Sequence, residues 1–254
     1  MTTASPANIL LITGGGRGIG AAVAIRAAAQ GYRVAVNYLS DRTAAEAVVE
    51  TIGRAGGEAI AIAGDVSNYA DVLALYAQVD RRLGRLTHLV NNAGITGKSS
   101  RLDAADPRMI AECIAINTTG AIFVAREAVL RMARRHGGSG GAIVNISSAA
   151  VTIGSPGEYV WYAASKGAID SLTFGLAKEL ADDGIRVNAV QPGLTATEIH
   201  ERSSGDGARV ERLKPMIPLK RVGLPDEIAA SVLFLLSEAS SYTTGSILRV
   251  SGGR

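Results

Sequence analysis

A chain of 254 residues is long enough to bury a core without covalent staples, and its single cysteine, Cys113, excludes an intramolecular disulfide. The net charge of +3 is only mildly basic, and aromatic residues make up 4% of the chain, too few for base-stacking platforms, so no nucleic-acid partner is expected. The N-terminus has no basic region followed by a long apolar stretch, and no apolar run approaches the ~18 residues of a membrane span, so a cytoplasmic address without a membrane partner is expected.

Seven short apolar runs read as buried strands: ILLIT (9–13), VAVN (34–37), AIAIAG (59–64), HLVNNAG (88–94), AIVNISS (142–148), IRVNAVQPG (185–193) and SILRV (246–250). Ala-rich helical segments lie between them, several stopped by glycine, as in AAVAIRAAAQG and KGAIDSLTFGLAKELADDG. This alternation predicts an α/β protein, a doubly wound seven-stranded parallel sheet of the Rossmann kind with helices on both faces. Residues 1–254 are expected to form a single domain, and the longest irregular stretch, 193–219, reads as a lid or binding loop.

The turn after the first strand, TGGGRGIG (13–20), opens a helix. Glycines let the backbone approach a ligand closely, and the helix N-terminus offers free N–H groups to a pyrophosphate. Gly14, Gly16, Arg17, Gly18 and Ile19 are therefore candidate cofactor-binding residues. Cys113 reads as a small buried apolar residue, and the one basic cluster, RMARRH (131–136), as a solvated helix end. Ser148 ends the fifth strand at the carboxyl edge of the sheet, where its hydroxyl could donate to a carbonyl oxygen, with Ser147 as its neighbour and rival.

The stretch EYVWYAASK (158–166) holds two tyrosines and a lysine. On a helix, Tyr162 and Lys166 stand one turn apart on one face, whereas Tyr159 is two turns, ~10 Å, from the lysine. An ammonium within a few ångström favours the phenolate and makes a phenol usable as an acid/base near neutral pH. Tyr162 is therefore the expected acid/base. Tyr159, following SPG, is expected at the fraying start of the helix, and Tyr159 and Trp161 are open between pocket wall, subunit contact and plain packing.

Taken in order, TGGGRGIG, Asp65-Val66, NNAG (91–94), Asn117, NISS (145–148), YAASK (162–166) and QPG with Thr197 after it resemble the short-chain dehydrogenase/reductase family, in its shorter, single-domain form, over essentially the whole chain. The resemblance implies hydride transfer between a nicotinamide cofactor and a carbonyl or secondary alcohol. It implies catalytic roles for Asn117, Ser148, Tyr162 and Lys166, with Asn117 anchoring a water in a proton path and Lys166 also holding the nicotinamide ribose. Asp65 and Val66 would cover the adenine, though Asp65 could instead cap the next helix. Asn92, Ala93 and Gly94 would meet the ribose, and Pro192, Gly193, Thr195 and Thr197 the carboxamide. His200 lies on the same lid and reads as a surface residue or substrate contact. No metal is expected, and the family implies a homotetramer built on the helices carrying Asn117 and Tyr162.

At the end of the second strand, where an acid would accept the adenosine 2′-hydroxyl, this chain has Asn37 and Tyr38, with Arg17 and Arg42 nearby. That favours NADP(H) over NAD(H), with Asp41 as the objection. The gap from Ser148 to Tyr162 is about one residue longer than usual for the family, and near the C-terminus Ser251 stands where an acid is usual. The helix sequence is similar to glucose 1-dehydrogenase-like relatives. A 3-oxoacyl-carrier-protein reductase is the alternative, with RRH (134–136) as the contact for an acidic carrier. A non-catalytic NADP(H)-binding sensor or subunit is the rival of another class.

Overall fold

A computed structural model describes residues 8–197 and 209–254. Seven strands form one parallel sheet in the order β3-β2-β1-β4-β5-β6-β7. They are β1 (Ile9–Ile12), β2 (Arg33–Tyr38), β3 (Ala59–Ala63), β4 (His88–Asn91), β5 (Gly141–Ile146), β6 (Ile185–Pro192) and β7 (Ile247–Val250). The near-continuous apolar character of β1, β2, β4, β5 and β6 follows from burial on both faces, whereas the edge strands β3 and β7 are only partly buried. α1 (Gly18–Ala29), α2 (Arg42–Arg54) and α9 (Pro225–Leu236) cover one face, where Val23, Val34, Val144 and Val232 share a core. α3 (Tyr69–Arg82), α5 (Ala121–Met132) and α7 (Val160–Glu179) cover the other, where Leu11, Leu75, Val124 and Ile143 share a second core. The strand order reverses between β1 and β4, which opens a crevice at the carboxyl edge, where open α/β sheets bind ligands.

Differences from the sequence expectation concern boundaries and placement. β4 ends at Asn91 and β5 at Ile146, so Ala93, Gly94, Ser147 and Ser148 lie just beyond the strands, on the crevice side. α4 (Pro107–Ile114) runs into α5 through a π-helical turn, Ala115–Gly120. By length and composition this helical stretch, Pro107–Met132, is apolar enough to cross a membrane, its most apolar 18 residues having a mean hydropathy of 1.4. Here it flanks the sheet instead, with Cys113, Val124 and Ala128 fully buried. The 193–219 stretch is not wholly irregular: Thr195 bridges to Gly223, and α8 (Arg209–Leu213) follows. His200 lies outside the described residues.

Two expectations need correction. Arg134–His136 form a 3₁₀ turn leading into the amino end of β5, where Arg135 pairs with Asp183 at 3.3 Å. That places the RRH cluster at the sheet edge opposite the crevice, so it cannot be a carrier contact beside the site. Tyr159 does not fray either: it is the N-cap residue of α7 and only 6% exposed.

Candidate active site

One open cleft of about 940 Å³ runs along the carboxyl edge. Its floor begins with the turn after β1, where Gly14 and Gly18 take φ of +61° and +53°, a region that favours glycine. The N-cap of α1, Arg17, makes no side-chain cap, and its first turn carries no acid, so the helix N-terminus is left to a ligand. Gly20 packs so closely that a Cβ would meet Gly14 O at 2.5 Å. This bare, positively polarised cradle fits a dinucleotide pyrophosphate. Gly14, Gly16, Arg17, Gly18 and Ile19 all line the cleft.

Asn37 lines the cleft as well, but its side chain is committed. Its Oδ1 accepts from Gly14 N at 3.4 Å, and its Nδ2 donates to Gly64 O at 3.0 Å, so it braces the glycine turn. Arg17 pairs with Asp41 at 3.5 Å, while Asp41 Oδ1 also caps α2 by accepting from Ala44 N at 3.0 Å. Arg42 turns to Glu46 at 2.6 Å. Asp65 does not cap α3. It accepts from Ser67 N at 2.8 Å and Ser67 Oγ at 2.7 Å, and Asn68 caps the helix instead. Val66 lies beside it on the cleft.

Asn92 Nδ2 donates to Thr13 O at 2.9 Å and Gly14 O at 3.0 Å, tying β4 to the glycine turn while Asn92, Ala93 and Gly94 face the cleft. Across it, Pro192, Gly193, Thr195 and Thr197 form the facing wall. Gly193 is required there because a Cβ would meet Ser251 Cα at 2.6 Å.

Asn117 sits in the π-helical turn and is 1% exposed. Its Oδ1 accepts from Ile95 N at 2.8 Å, and its Nδ2 donates to Ile95 O at 2.8 Å and Ser165 Oγ at 3.0 Å. It therefore staples the segment after β4 to α7. A π turn of this kind interrupts the regular helical ladder and is frequent at functional sites.

Ser148, Tyr162 and Lys166 converge on the same cleft. Ser148 Oγ accepts from Ala150 N at 3.1 Å and stands beside the Tyr162 phenol, favouring its ionised form, whereas Ser147, which also lines the cleft, is 2% exposed and donates to Lys166 O at 3.3 Å. Lys166 Nζ donates to Ile146 O at 2.7 Å and lies 5.9 Å from the Tyr162 ring centroid. Burial lowers Lys166 to about 8. Burial also raises Tyr162 above the usual phenol value, only partly offset by the neighbouring Ser148 hydroxyl. In this geometry the lysine ammonium is turned to the Ile146 carbonyl. The longer gap before Tyr162 is taken up by α6 (Ala150–Ile153) and a turn in which Ser155 adopts a φ of +48° between glycines.

Tyr159 also lines the cleft, but its hydroxyl accepts from Arg209, and burial pushes it up to about 12. Tyr162, by contrast, lines the cleft together with Ser148 and Lys166. Trp161 is a packing residue: it is 4% exposed, and its Nε1 donates to Thr96 O at 2.8 Å. Sequence reading missed Glu158, Arg209, Leu213 and Met216, which line the outer half of the cleft. Glu158 and Arg209 are 51 positions apart, and no spacing rule joins them. Among the described residues no group of three or more His, Cys, Asp or Glu is placed to hold a metal.

A family model described as enoyl-(acyl carrier protein) reductase matches residues 14–254. The chain is 48% identical over 246 residues to the uncharacterized oxidoreductase YgfF of Escherichia coli (strain K12), covering 97% of this chain and 99% of that protein. It is 39% identical over 254 residues to the 3-oxoacyl-[acyl-carrier-protein] reductase of Synechocystis sp. (strain ATCC 27184 / PCC 6803 / Kazusa), covering 99% and 98%. The 3-ketoacyl-(acyl-carrier-protein) reductase from Brucella melitensis, solved in complex with NADH, superposes with a TM-score of 0.90 at 33% identity, covering 97% of this chain and 98% of that one. With relatives matched end to end and the same parallel sheet beneath the cleft, the chain belongs to the short-chain dehydrogenase/reductase family of oxidoreductases, whose members bind a nicotinamide cofactor.

Proposed function

We propose that this protein is an NADP(H)-preferring reductase of carbonyl compounds, or the reverse alcohol dehydrogenase, with Tyr162 as acid/base. The observation that carries this reading is the convergence of Ser148, Tyr162 and Lys166 on the cleft whose other half is the glycine cradle. The nicotinamide, when bound, supplies or accepts the hydride. Tyr162 gives its proton to the alkoxide in reduction and takes one back in oxidation. Ser148, beside that phenol on the cleft, donates to the carbonyl oxygen and steadies its developing charge. Lys166 holds the ribose hydroxyls and sets the positive potential beside the phenol. Asn117 fixes the π turn from which a water completes the proton path to Lys166. Asp65, Val66, Asn92, Ala93 and Gly94 hold the nucleoside parts, and Pro192, Gly193, Thr195 and Thr197 the carboxamide.

The preference for NADP(H) is supported by the end of β2, which has no acid and an Asn37 already spent on the glycine turn. The nearby acid on the cleft, Asp41, is partly neutralised by Arg17, and a 2′-phosphate would find that guanidinium in place. The small-molecule carbonyl or alcohol is the sole substrate partner, and the working unit is a homotetramer built on the helices bearing Asn117 and Tyr162. Reduction of 3-oxoacyl groups is the second substrate reading, favoured by the names of the Synechocystis and Brucella relatives. A non-catalytic sensor would have no use for three intact catalytic side chains on one cleft.

The test is the decay of NADPH absorbance with pooled ketones, aldehydes, sugars and acyl thioesters, with NADH alongside. We expect turnover with NADPH that falls ~10²–10⁴-fold in Tyr162→Phe, the usual weight of a general acid, while NADPH binding persists. NADPH binding without turnover of any pool would move the reading to the sensor.

A further inference from the structure

Arg209, the first residue of α8, is charged, lines the cleft and is only 4% exposed. Its guanidinium grips Glu158 with two prongs, Nε to Oε1 at 3.0 Å and Nη2 to Oε2 at 2.7 Å. It also donates to the Tyr159 hydroxyl and lies over that ring, 5.3 Å from the centroid. Tyr159 in turn stands edge-on to Tyr162, with centroids 5.7 Å apart and planes at 88°. The Glu158 carbonyl accepts from Ser100 N at 2.8 Å, so the segment after β4, the start of α7 and the start of α8 meet at this pair.

Arg209 is buried while Glu158 is half-buried, and the attraction in a pair so far withdrawn from water only roughly offsets the water lost, so apolar residues of the same size often serve stability as well. A charged pair in the wall of the cleft, one ring away from the acid/base tyrosine, therefore points to selection of a ligand. Ile153, Leu213 and Met216 give the same half of the cleft an apolar side. A substrate oxygen that reaches the pair replaces the water it displaces. A hydrocarbon chain laid against the pair strips that water and returns nothing.

We infer that Glu158 and Arg209 are specificity-determining residues for the carbonyl substrate. They hold Tyr159 as a wall beside Tyr162 and give that wall a polar, ion-paired face. The substrate class this fits is a compact carbonyl compound bearing hydroxyl or carboxylate oxygens, in preference to a long acyl chain. The inference rests on the carbonyl-reductase reading above.

The experiment uses the full-length protein and its Glu158→Gln, Arg209→Met, Arg209→Lys and Glu158→Gln/Arg209→Met variants. Each is assayed with NADPH against short ketones bearing a hydroxyl or carboxylate, and against 3-oxo esters of increasing acyl length. Wild type is expected to prefer the oxygen-bearing ketones. Glu158→Gln and Arg209→Met are expected to lose roughly tenfold or more of that preference, mainly through KM, with NADPH affinity unchanged. The double variant, which removes both charges of the pair, is expected to regain thermal stability without regaining the preference. Arg209→Lys keeps the charge but loses the two-pronged contact, and its preference should fall in between. It also stands in if Arg209→Met fails to fold. A preference unchanged in folded variants that bind NADPH would overturn the inference, as would a wild type that favours the long esters. No NADPH oxidation by wild type with any carbonyl would instead sink the reductase reading itself.

Discussion

His88 carries no signal in the sequence, yet its surroundings make it a pH sensor of stability. It stands on β4 with its ring edge-on to Tyr32, centroids 5.1 Å apart, and its Nδ1 lies 2.8 Å from Thr87 Oγ1. Burial, and then the nearby Arg186 guanidinium, push its pKa from 6.5 to about 4. The folded protein therefore keeps the ring neutral, while the unfolded chain takes up a proton below its ordinary value. The stabilisation is full above pH 6.5 and is lost as the pH falls toward 4. The loss between pH 7 and 5 should be about 2 kcal/mol, because each tenfold rise in proton concentration below the unfolded value favours the unfolded chain by about 1.4 kcal/mol. Urea unfolding at the two pH values should show it, and the drop should shrink in His88→Gln. An equal drop in both proteins would assign the acid sensitivity elsewhere. Tyr162 is the opposite case. It can be singled out from sequence because one helical turn to Lys166 is local geometry, whereas the fate of His88 depends on Tyr32 and Arg186, which only the sheet brings near.

The strands are legible in the sequence because a parallel strand buried on both faces reads as an unbroken apolar run. The glycine turn is legible because it joins such a run to a helix. Strand ends are less so: Ser147 and Ser148 read as strand yet lie past β5, since apolar character alone does not mark where pairing stops. The π turn at Asn117 leaves no mark on an otherwise apolar helix, and the Glu158–Arg209 pair joins loci with no local pattern. RRH, by contrast, could be placed from topology, because residues just before a parallel strand belong at its amino edge, away from the ligand crevice. The glycine turn makes a sharp demand in return. A Cβ at Gly20 would come within 2.5 Å of Gly14 O and 2.7 Å of Asn92 Nδ2, whereas one at Gly53, inside α2, would meet nothing within 4 Å. Gly20→Ala should cost about 1–3 kcal/mol, as overpacking does, and weaken NADPH binding measurably. Gly53→Ala should stabilise by up to about 1 kcal/mol through helix propensity, with binding unchanged. Denaturant midpoints and NADPH fluorescence titration would separate the two, and equal effects at both sites would contradict the packing argument.

The outer faces of the helices that carry the site are more apolar than water favours. Ile114, Ile122 and Leu130 recur at eight-residue intervals along α4 and α5, each between 37% and 44% exposed, and Phe174 on α7 is 48% exposed. Residues eight apart lie about 80° further round a regular helix, so each neighbouring pair can share a broad side. Large apolar side chains exposed on helices mark an interface more often when they gather on one side. The proposed tetramer gives it an occupant, a second copy presenting the same flank. The inner faces of these helices place Asn117 and Lys166, so a contact on the outer faces steadies the cleft from behind. Ile122→Glu and Phe174→Glu put a charge into such a contact without touching the cleft. Light scattering should give a tetramer for wild type and a smaller species for each variant, with reduced turnover. NADPH affinity should fall less, since the cradle sits on β1 and α1. A wild-type monomer, or variants of unchanged mass, would instead leave the flank to another partner and detach catalysis from assembly.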